Sequence, residues 1–159
     1  MRRTFSRFLF VLAIAALPAL AADNSLGTWK ANIAKCKYSP GPLPLKSYTL
    51  TREAAPGGVK VTVTGERTDG TPINGTYTAK YDGSPSAVSG SGTPYDSMAI
   101  KRVDANTFTG EAKHSKTKYQ SSLRTVVSHD GKTLTTTGKG TDADGKPMTL
   151  TLVLVLEKE

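Results

Sequence analysis

The residues that most often carry chemistry are few in this sequence, and their spacing matches no catalytic or metal-binding motif. His114 and His129 are the only histidines and Cys36 is the only cysteine, so the closely spaced cysteine and histidine pairs of zinc sites are missing. The G-x-S-x-G, H-E-x-x-H and Gly-rich phosphate-binding patterns are missing as well. We therefore favour a protein that is not an enzyme, leave that question open, and predict neither a cofactor nor a metal.

An acidic stretch near the C-terminus, TDADGKP, resembles part of a calcium-binding loop. Asp142, Asp144 and Gly145 fit three positions of such a loop. Its first ligand position falls on Gly140 and its closing acidic position on Thr151, and neither side chain can supply a carboxylate. The stretch is therefore predicted to be a hairpin turn.

Two arginines continue the alternation of apolar residues that are expected to face the interior. Arg52 follows Tyr48 and Leu50 at alternate positions. In the stretch MAIKR, Arg102 follows Met98 and Ile100 in the same way. A cation inside an apolar core is unfavourable unless it is paired. Each arginine therefore either awaits an anionic ligand group, such as a carboxylate or a phosphate, or marks the rim where its strand leaves the core.

Tyrosines that face inward would supply both an apolar wall and hydroxyl groups to a bound molecule. His114 shares the alternation of Phe108 and Ala112, so its ring either points inward or leaves the strand end toward solvent. The candidate ligand-binding residues are Tyr48, Arg52, Tyr77, Tyr81, Arg102, His114 and Tyr119.

Strands must position these side chains, because apolar and polar residues alternate with a period of two through most of the chain. In VKVTV, for example, Val59, Val61 and Val63 lie on one face, and Lys60 and Thr62 lie on the other. Short turn sequences such as TDGTP and HDGK separate the runs, so successive strands are expected to be antiparallel neighbours. The sequence therefore predicts an all-β protein, an antiparallel up-and-down barrel of about 8–9 strands.

Some segments depart from this alternation. NIAKCK predicts one short helical turn, the proline-rich segment 39–46 an extended connector, and the Ser/Gly-rich segment 82–94 a mobile loop. The last strand is apolar on both faces, so we expect both to be covered, one of them by the N-terminal segment. Cys36 is interpreted as a small buried side chain, with a reactive thiol between two lysines as the alternative.

Residues 1–22 have the order of a secretory signal peptide: Arg2, Arg3 and Arg7, then an apolar run, then small residues. Residues 23–159 are then predicted to form a single β-barrel domain that is exported to the periplasm or secreted. Without the three arginines, 18 basic residues stand against 13 acidic ones, a net charge of +5 instead of +8. Export and the lack of a basic cluster with interleaved aromatic residues argue against nucleic acid as a partner. No transmembrane segment is predicted after the signal, and a monomer is expected.

The stretch GTW, which ends at Trp29, precedes an antiparallel meander and resembles the start of the lipocalins and the wider calycin group. The chain is also similar to small exported bacterial proteins of lipocalin-like character, through GTWK, SPGP and DGKT…GTDADGKP. The lipocalin resemblance implies that Trp29 closes one end of the barrel against a basic side chain, for which Arg124 and Lys158 are candidates. It also implies that Gly27 allows close approach of the backbone.

Three functions are compatible with the sequence. The leading hypothesis is an exported lipocalin-like barrel that binds a small hydrophobic or amphipathic ligand in its interior. The alternative is a non-catalytic envelope protein with a filled barrel, which holds a partner through its basic exterior and apolar last strand. The third is a hydrolase or isomerase, which requires His114 to be buried beside an acid. Many inward positions are Thr, Ala or Gly, which fits a cavity or a narrow filled barrel equally.

Overall fold

The alternating apolar residues lie in strands and point to one side of them. The computed structural model describes residues 22–157. Val59, Val61 and Val63 belong to one strand, and each is at most 1 % exposed. The next strand has buried residues at every second position. Because the longer strands hide one face in this way, their hidden faces together form a single core.

The described chain contains twelve strands and one short 3-10 helix at Ile33–Lys35, which lies within the predicted helical turn. The strands are β1 (Gly27–Ala31), β2 (Lys37–Ser39), β3 (Leu45–Ala55), β4 (Gly58–Arg67), β5 (Pro72–Lys80), β6 (Asp82–Ala87), β7 (Ser89–Ser91), β8 (Ser97–Arg102), β9 (Thr107–Lys113), β10 (Gln120–Val127), β11 (Thr133–Thr141) and β12 (Pro147–Leu156).

All pairs of neighbouring strands are antiparallel, and eleven strands lie on one path in the order β6-β8-β9-β10-β11-β12-β1-β3-β4-β5-β7. The strands at the two ends of this path, β6 and β7, follow each other in the chain with only Val88 between them. The two edges of the sheet therefore meet along one segment, and the sheet forms a nearly closed barrel. The predicted all-β antiparallel architecture is confirmed, but the predicted strand number of about 8–9 is too low.

The Ser/Gly-rich segment 82–94 was predicted to be a mobile loop, but it contains the strands β6 and β7. At Gly90 and Gly92 a side chain has no room, because the neighbouring backbones lie very close. A Cβ added to Gly90 would be 1.9 Å from the carbonyl oxygen of Asn74 on β5. Glycine at these positions therefore indicates close approach of strands and not a flexible connection.

The last strand, β12, pairs with β11 on one side and is shared on the other side by β1 and β2. The 3-10 helix lies between β1 and β2. Cys36 follows this helix and is half-buried, with its Sγ 3.3 Å from the backbone nitrogen of Val153. The expectation that both faces of β12 are covered is wrong at its end, because Val155 is 45 % exposed.

The two ends of the barrel differ. At one end the residues before β1 fold across the opening, and the backbone nitrogen of Asn24 donates to the carbonyl oxygen of Ala105 at 3.1 Å. We call residues 22–26 together with Trp29 the floor. The other end carries the connections between strands, which we call the rim. The rim consists of residues 40–44, 68–71, 92–96, 114–119 and 142–146.

The predicted signal peptide lies outside the described residues, except for Ala22, and so does Lys158. Within the described part of the chain, no helix has the length and the apolar character that crossing a lipid bilayer requires.

Candidate functional site

The barrel encloses a cavity of about 650 Å³ between the floor and the rim. At the floor end its lining includes the buried residues Arg52 and Phe108, and at the rim end it includes exposed residues such as Asp69, Thr117 and Ala143. The cavity therefore reaches the protein surface at the rim. Its apolar wall consists of Leu43, Leu45, Leu50, Ile73, Met98, Ile100, Phe108, Leu123, Met148, Leu150, Leu152 and Leu154.

Five of the six tyrosines of the chain line this cavity, namely Tyr38, Tyr48, Tyr77, Tyr95 and Tyr119. They form a belt of aromatic rings with hydroxyl groups inside an otherwise apolar wall. The rings of Tyr95 and Tyr119 lie 6.4 Å apart, centroid to centroid. Tyr48 and Tyr95 lie close enough for each side chain to influence the pKa of the other. A bound molecule would therefore meet hydrogen-bonding groups on the way from the rim to the floor.

Burial raises the pKa values of four tyrosines of the belt. It raises the pKa of Tyr77 to about 12, against an opposing effect of the Arg52 charge, and it raises the pKa of Tyr119 to about 12. Burial also raises the pKa values of Tyr48 and Tyr95 above the ordinary value. These phenols therefore remain neutral hydrogen-bond donors throughout the physiological pH range.

Arg52 lies at the floor end of the cavity and is only 5 % exposed. Its Nε donates to Ser25 Oγ at 3.0 Å, and its Nη2 lies 3.5 Å from the hydroxyl of Tyr81. Both hydroxyls in turn donate to the carboxylate of Asp23. The guanidinium and the carboxylate are therefore linked through two hydroxyl groups, and neither touches the other directly.

The hydrogen bonds to Asp23 decide its charge. Burial alone would raise the pKa of this carboxyl, but hydrogen bonds from Ser25 and Tyr81 and the charge of Arg52 outweigh it and leave the pKa below the ordinary value. Asp23 is therefore ionised at neutral pH. It compensates part of the Arg52 charge from a distance.

Trp29 lies beneath this network and is fully buried. Its indole Nε1 donates to the carbonyl oxygen of Ser25 at 2.9 Å, which holds the segment before β1 in place. Gly27 has a positive φ of 127°, and a Cβ there would lie 2.9 Å from a side-chain atom of Leu156. Arg124, one of the two candidates for the basic neighbour of Trp29, is instead exposed on β10, and the other, Lys158, lies outside the described residues. Arg52 is a basic residue of this region, and its backbone pairs with Gly27.

Two of the predicted ligand-binding residues lie at the floor and are not part of the cavity lining. The hydroxyl of Tyr81 donates a hydrogen bond to Asp23, and the centroid of its ring lies 5.3 Å from that of Phe108. Arg102 donates to the carbonyl oxygens of Ala22 and Asp104. Both residues therefore brace the floor from outside the cavity.

His114 lies at the rim, where its half-buried side chain contributes to the cavity lining. Its Nδ1 accepts a hydrogen bond from the backbone nitrogen of Lys116 and lies 3.8 Å from Asp96 Oδ2. Hydrogen bonds from Ser115 are the main reason that the pKa of Asp96 is lowered. An acid is thus in reach of His114, but the histidine is not buried as the enzyme hypothesis requires.

The acidic stretch TDADGKP forms the hairpin turn that the sequence predicts. The stretch from Asp142 to Lys146 is a hairpin turn, in which Asp142 Oδ1 accepts hydrogen bonds from the backbone nitrogens of Asp144 and Lys146. Within residues 22–157 no group of three or more His, Cys, Asp or Glu side chains could hold a metal ion.

Five of the seven predicted ligand-binding residues line the cavity, and these are Tyr48, Arg52, Tyr77, His114 and Tyr119. Tyr38 and Tyr95 line it too, although the sequence did not identify them. Tyr38 precedes a run of prolines and Tyr95 lies in a connection, so no alternation indicated which way either ring points. Comparison of the chain with family models gave no match, and comparison with curated proteins gave no significant match.

Proposed function

We propose that this protein binds a small hydrophobic or amphipathic molecule in the cavity of its barrel. The observation that carries the proposal is the cavity itself, which has about 650 Å³ of space and a largely apolar lining. Binding pockets for small molecules typically have about 300–1,000 Å³ and a few polar groups in an apolar wall. The tyrosine belt and Arg52 are such polar groups. A filled barrel, which the envelope-protein alternative assumes, would have no room of this kind.

The ligand enters from the rim, because the floor is closed by the segment before β1. Apolar residues of the wall bury the hydrocarbon part of the ligand, at about 25 cal/mol for each Å² removed from water. Tyrosine hydroxyls then orient its polar atoms. The export predicted from the N-terminal residues would place this carrier in the periplasm or outside the cell.

Native mass spectrometry of the protein purified without detergent from its exporting host tests the proposal first. A reproducible extra mass that organic solvent releases is the expected result. A mass without additions, unchanged after incubation with fatty acids, phospholipids and isoprenoids, would overturn it.

A cavity-filling variant ties the binding to this cavity. Leu123 on β10 lines the cavity, and Leu123→Trp replaces part of its free volume with an indole ring. We expect this variant to lose most of its bound ligand. Val126 lies on the same strand with its side chain outward and 36 % exposed, so Val126→Trp is the matched control and retains binding. Equal retention by both variants would place the ligand elsewhere.

A further inference from the structure

Arg52 has more hydrogen-bond donors than the protein uses. A guanidinium carries five N–H groups. Within residues 22–157, its acceptors are the hydroxyls of Ser25 and Tyr81, each of which takes one of these donors. Among the described residues, Ser121 Oγ is the only fully buried side-chain polar atom without a partner, so the remaining donors of Arg52 are not sealed inside the protein. They are available to an acceptor in the cavity that Arg52 lines.

The charge of Arg52 is also incompletely neutralised. No carboxylate of the described chain lies within 4.0 Å of the guanidinium. Asp23 compensates it only through the two intervening hydroxyls. The charge extends into the cavity, because it opposes the burial-induced rise in the pKa values of Tyr77 and Tyr48. An anion at the floor end of the cavity would thus meet a positive potential in an environment with little water to screen it.

The surroundings of the guanidinium set the shape of this site. The Cζ of Arg52 lies 5.0 Å from the ring centroid of Phe108, which is part of the same cavity wall. Leu50, on the same strand, and Leu154 line the cavity as well. A charged group at Arg52 is therefore followed directly by apolar wall on the way to the rim. This arrangement fits a compact head group with a hydrocarbon tail.

We propose that the ligand carries a carboxylate and binds head-first, with the carboxylate on Arg52 at the floor and the tail toward the rim. This inference rests on the proposed function, since it names the class of molecule that the same cavity takes. A singly charged carboxylate matches the site better than a phosphate monoester, because the Asp23 carboxylate already supplies one negative charge to the same arginine.

Matched ligands test the head group on the unaltered protein. Dodecanoic acid and methyl dodecanoate share one tail and differ in charge, and dodecyl phosphate adds a second charge. Calorimetric titration at neutral pH is expected to show the acid binding at least about tenfold more tightly than the ester, from charge-assisted hydrogen bonds. The phosphate is expected to bind more weakly than the acid. Equal affinity for acid and ester would overturn the head-group inference and leave the proposed function standing. No binding of any of the three would count against both.

Two variants at the floor end of the barrel test the role of Arg52 without removing it. Asp23→Asn keeps the shape of the side chain and one oxygen for Ser25, places an amide NH2 against the Tyr81 hydroxyl, and removes the charge that competes for Arg52. We expect this variant to bind dodecanoate more tightly and methyl dodecanoate as before. Asp130→Asn is the control. It makes the same substitution at an exposed aspartate at the same end of the barrel, and it leaves both affinities unchanged. Unchanged or weaker dodecanoate binding by Asp23→Asn would contradict the inference.

Discussion

At the scale of single residues, Trp29 holds the segment that closes the floor end of the barrel. It is fully buried, and its indole nitrogen holds the carbonyl of Ser25. The same serine accepts the hydrogen bond from Arg52. The position of the cavity's charged group therefore depends on a tryptophan that is not among the cavity-lining residues.

Two substitutions separate the contributions of Trp29. Trp29→Phe keeps most of the apolar ring but leaves the Ser25 carbonyl without its donor, so we expect a loss of about 1–3 kcal/mol of unfolding free energy. Trp29→Ala also leaves a cavity and should cost about 3–5 kcal/mol. Urea unfolding followed by circular dichroism measures both. Lys30→Ala, at an exposed neighbouring position, is the control, and equal stability of all three variants would contradict this account.

At the scale of elements, β6 and β7 decide whether the barrel closes. Their residues are mostly exposed, so little burial holds them in place. What joins them to β8 and β5 is backbone pairing, which requires that the strands approach without obstruction. The segment is therefore sensitive to changes that add atoms to its backbone.

Gly90→Ala tests this sensitivity. Its Cβ would lie 1.9 Å from the carbonyl oxygen of Asn74, and the positive φ of 110° adds backbone strain. We expect faster amide hydrogen exchange in β5 and β7 and lower stability than in Gly83→Ala. Gly83 also has a positive φ, of 85°, but a Cβ there meets no atom within 4 Å. The difference between the two variants thus measures the clash, and identical exchange in both would argue against a paired seam.

The strands with strict alternation could be predicted from the sequence, and β6 and β7 could not. Val59, Val61 and Val63 are apolar residues at alternate positions, which indicates the inward face of their strand, and all three are buried. In β7 the pairing depends on the missing side chain of Gly90, and both strands have the composition of a flexible loop. The inward position of Arg52 followed from alternation, but its link to Asp23 did not, because a contact between distant segments leaves no local pattern.

At the scale of the whole molecule, four tyrosines with raised pKa values predict a loss of stability in alkali, namely Tyr48, Tyr77, Tyr95 and Tyr119. In the unfolded chain these phenols ionise near pH 10, whereas burial raises the pKa of Tyr77 and Tyr119 to about 12. Between these pH values the unfolded chain has released protons that the barrel still holds, so the unfolding free energy falls as the pH rises. Below pH 10 the contribution of the belt is fully present.

Urea unfolding on both sides of pH 10, together with the absorbance of phenolate, measures this effect. Tyr77→Phe removes one of the raised phenols and should make the decline in stability with pH less steep than in the unaltered protein. If the tyrosines of the folded barrel all ionised at the ordinary value, the belt would be open to water and the prediction would be wrong.

The position of β1 between β3 and β12 has a consequence for how the protein is made. A chain leaves the ribosome or an export channel with its N-terminus first. β1 can pair with β3 early, but its other partner, β12, is the last strand to emerge. Until then one edge of β1 and the apolar interior stay open to association with other chains. Closure of the barrel therefore waits for β12, and the nascent protein needs protection until that strand has emerged.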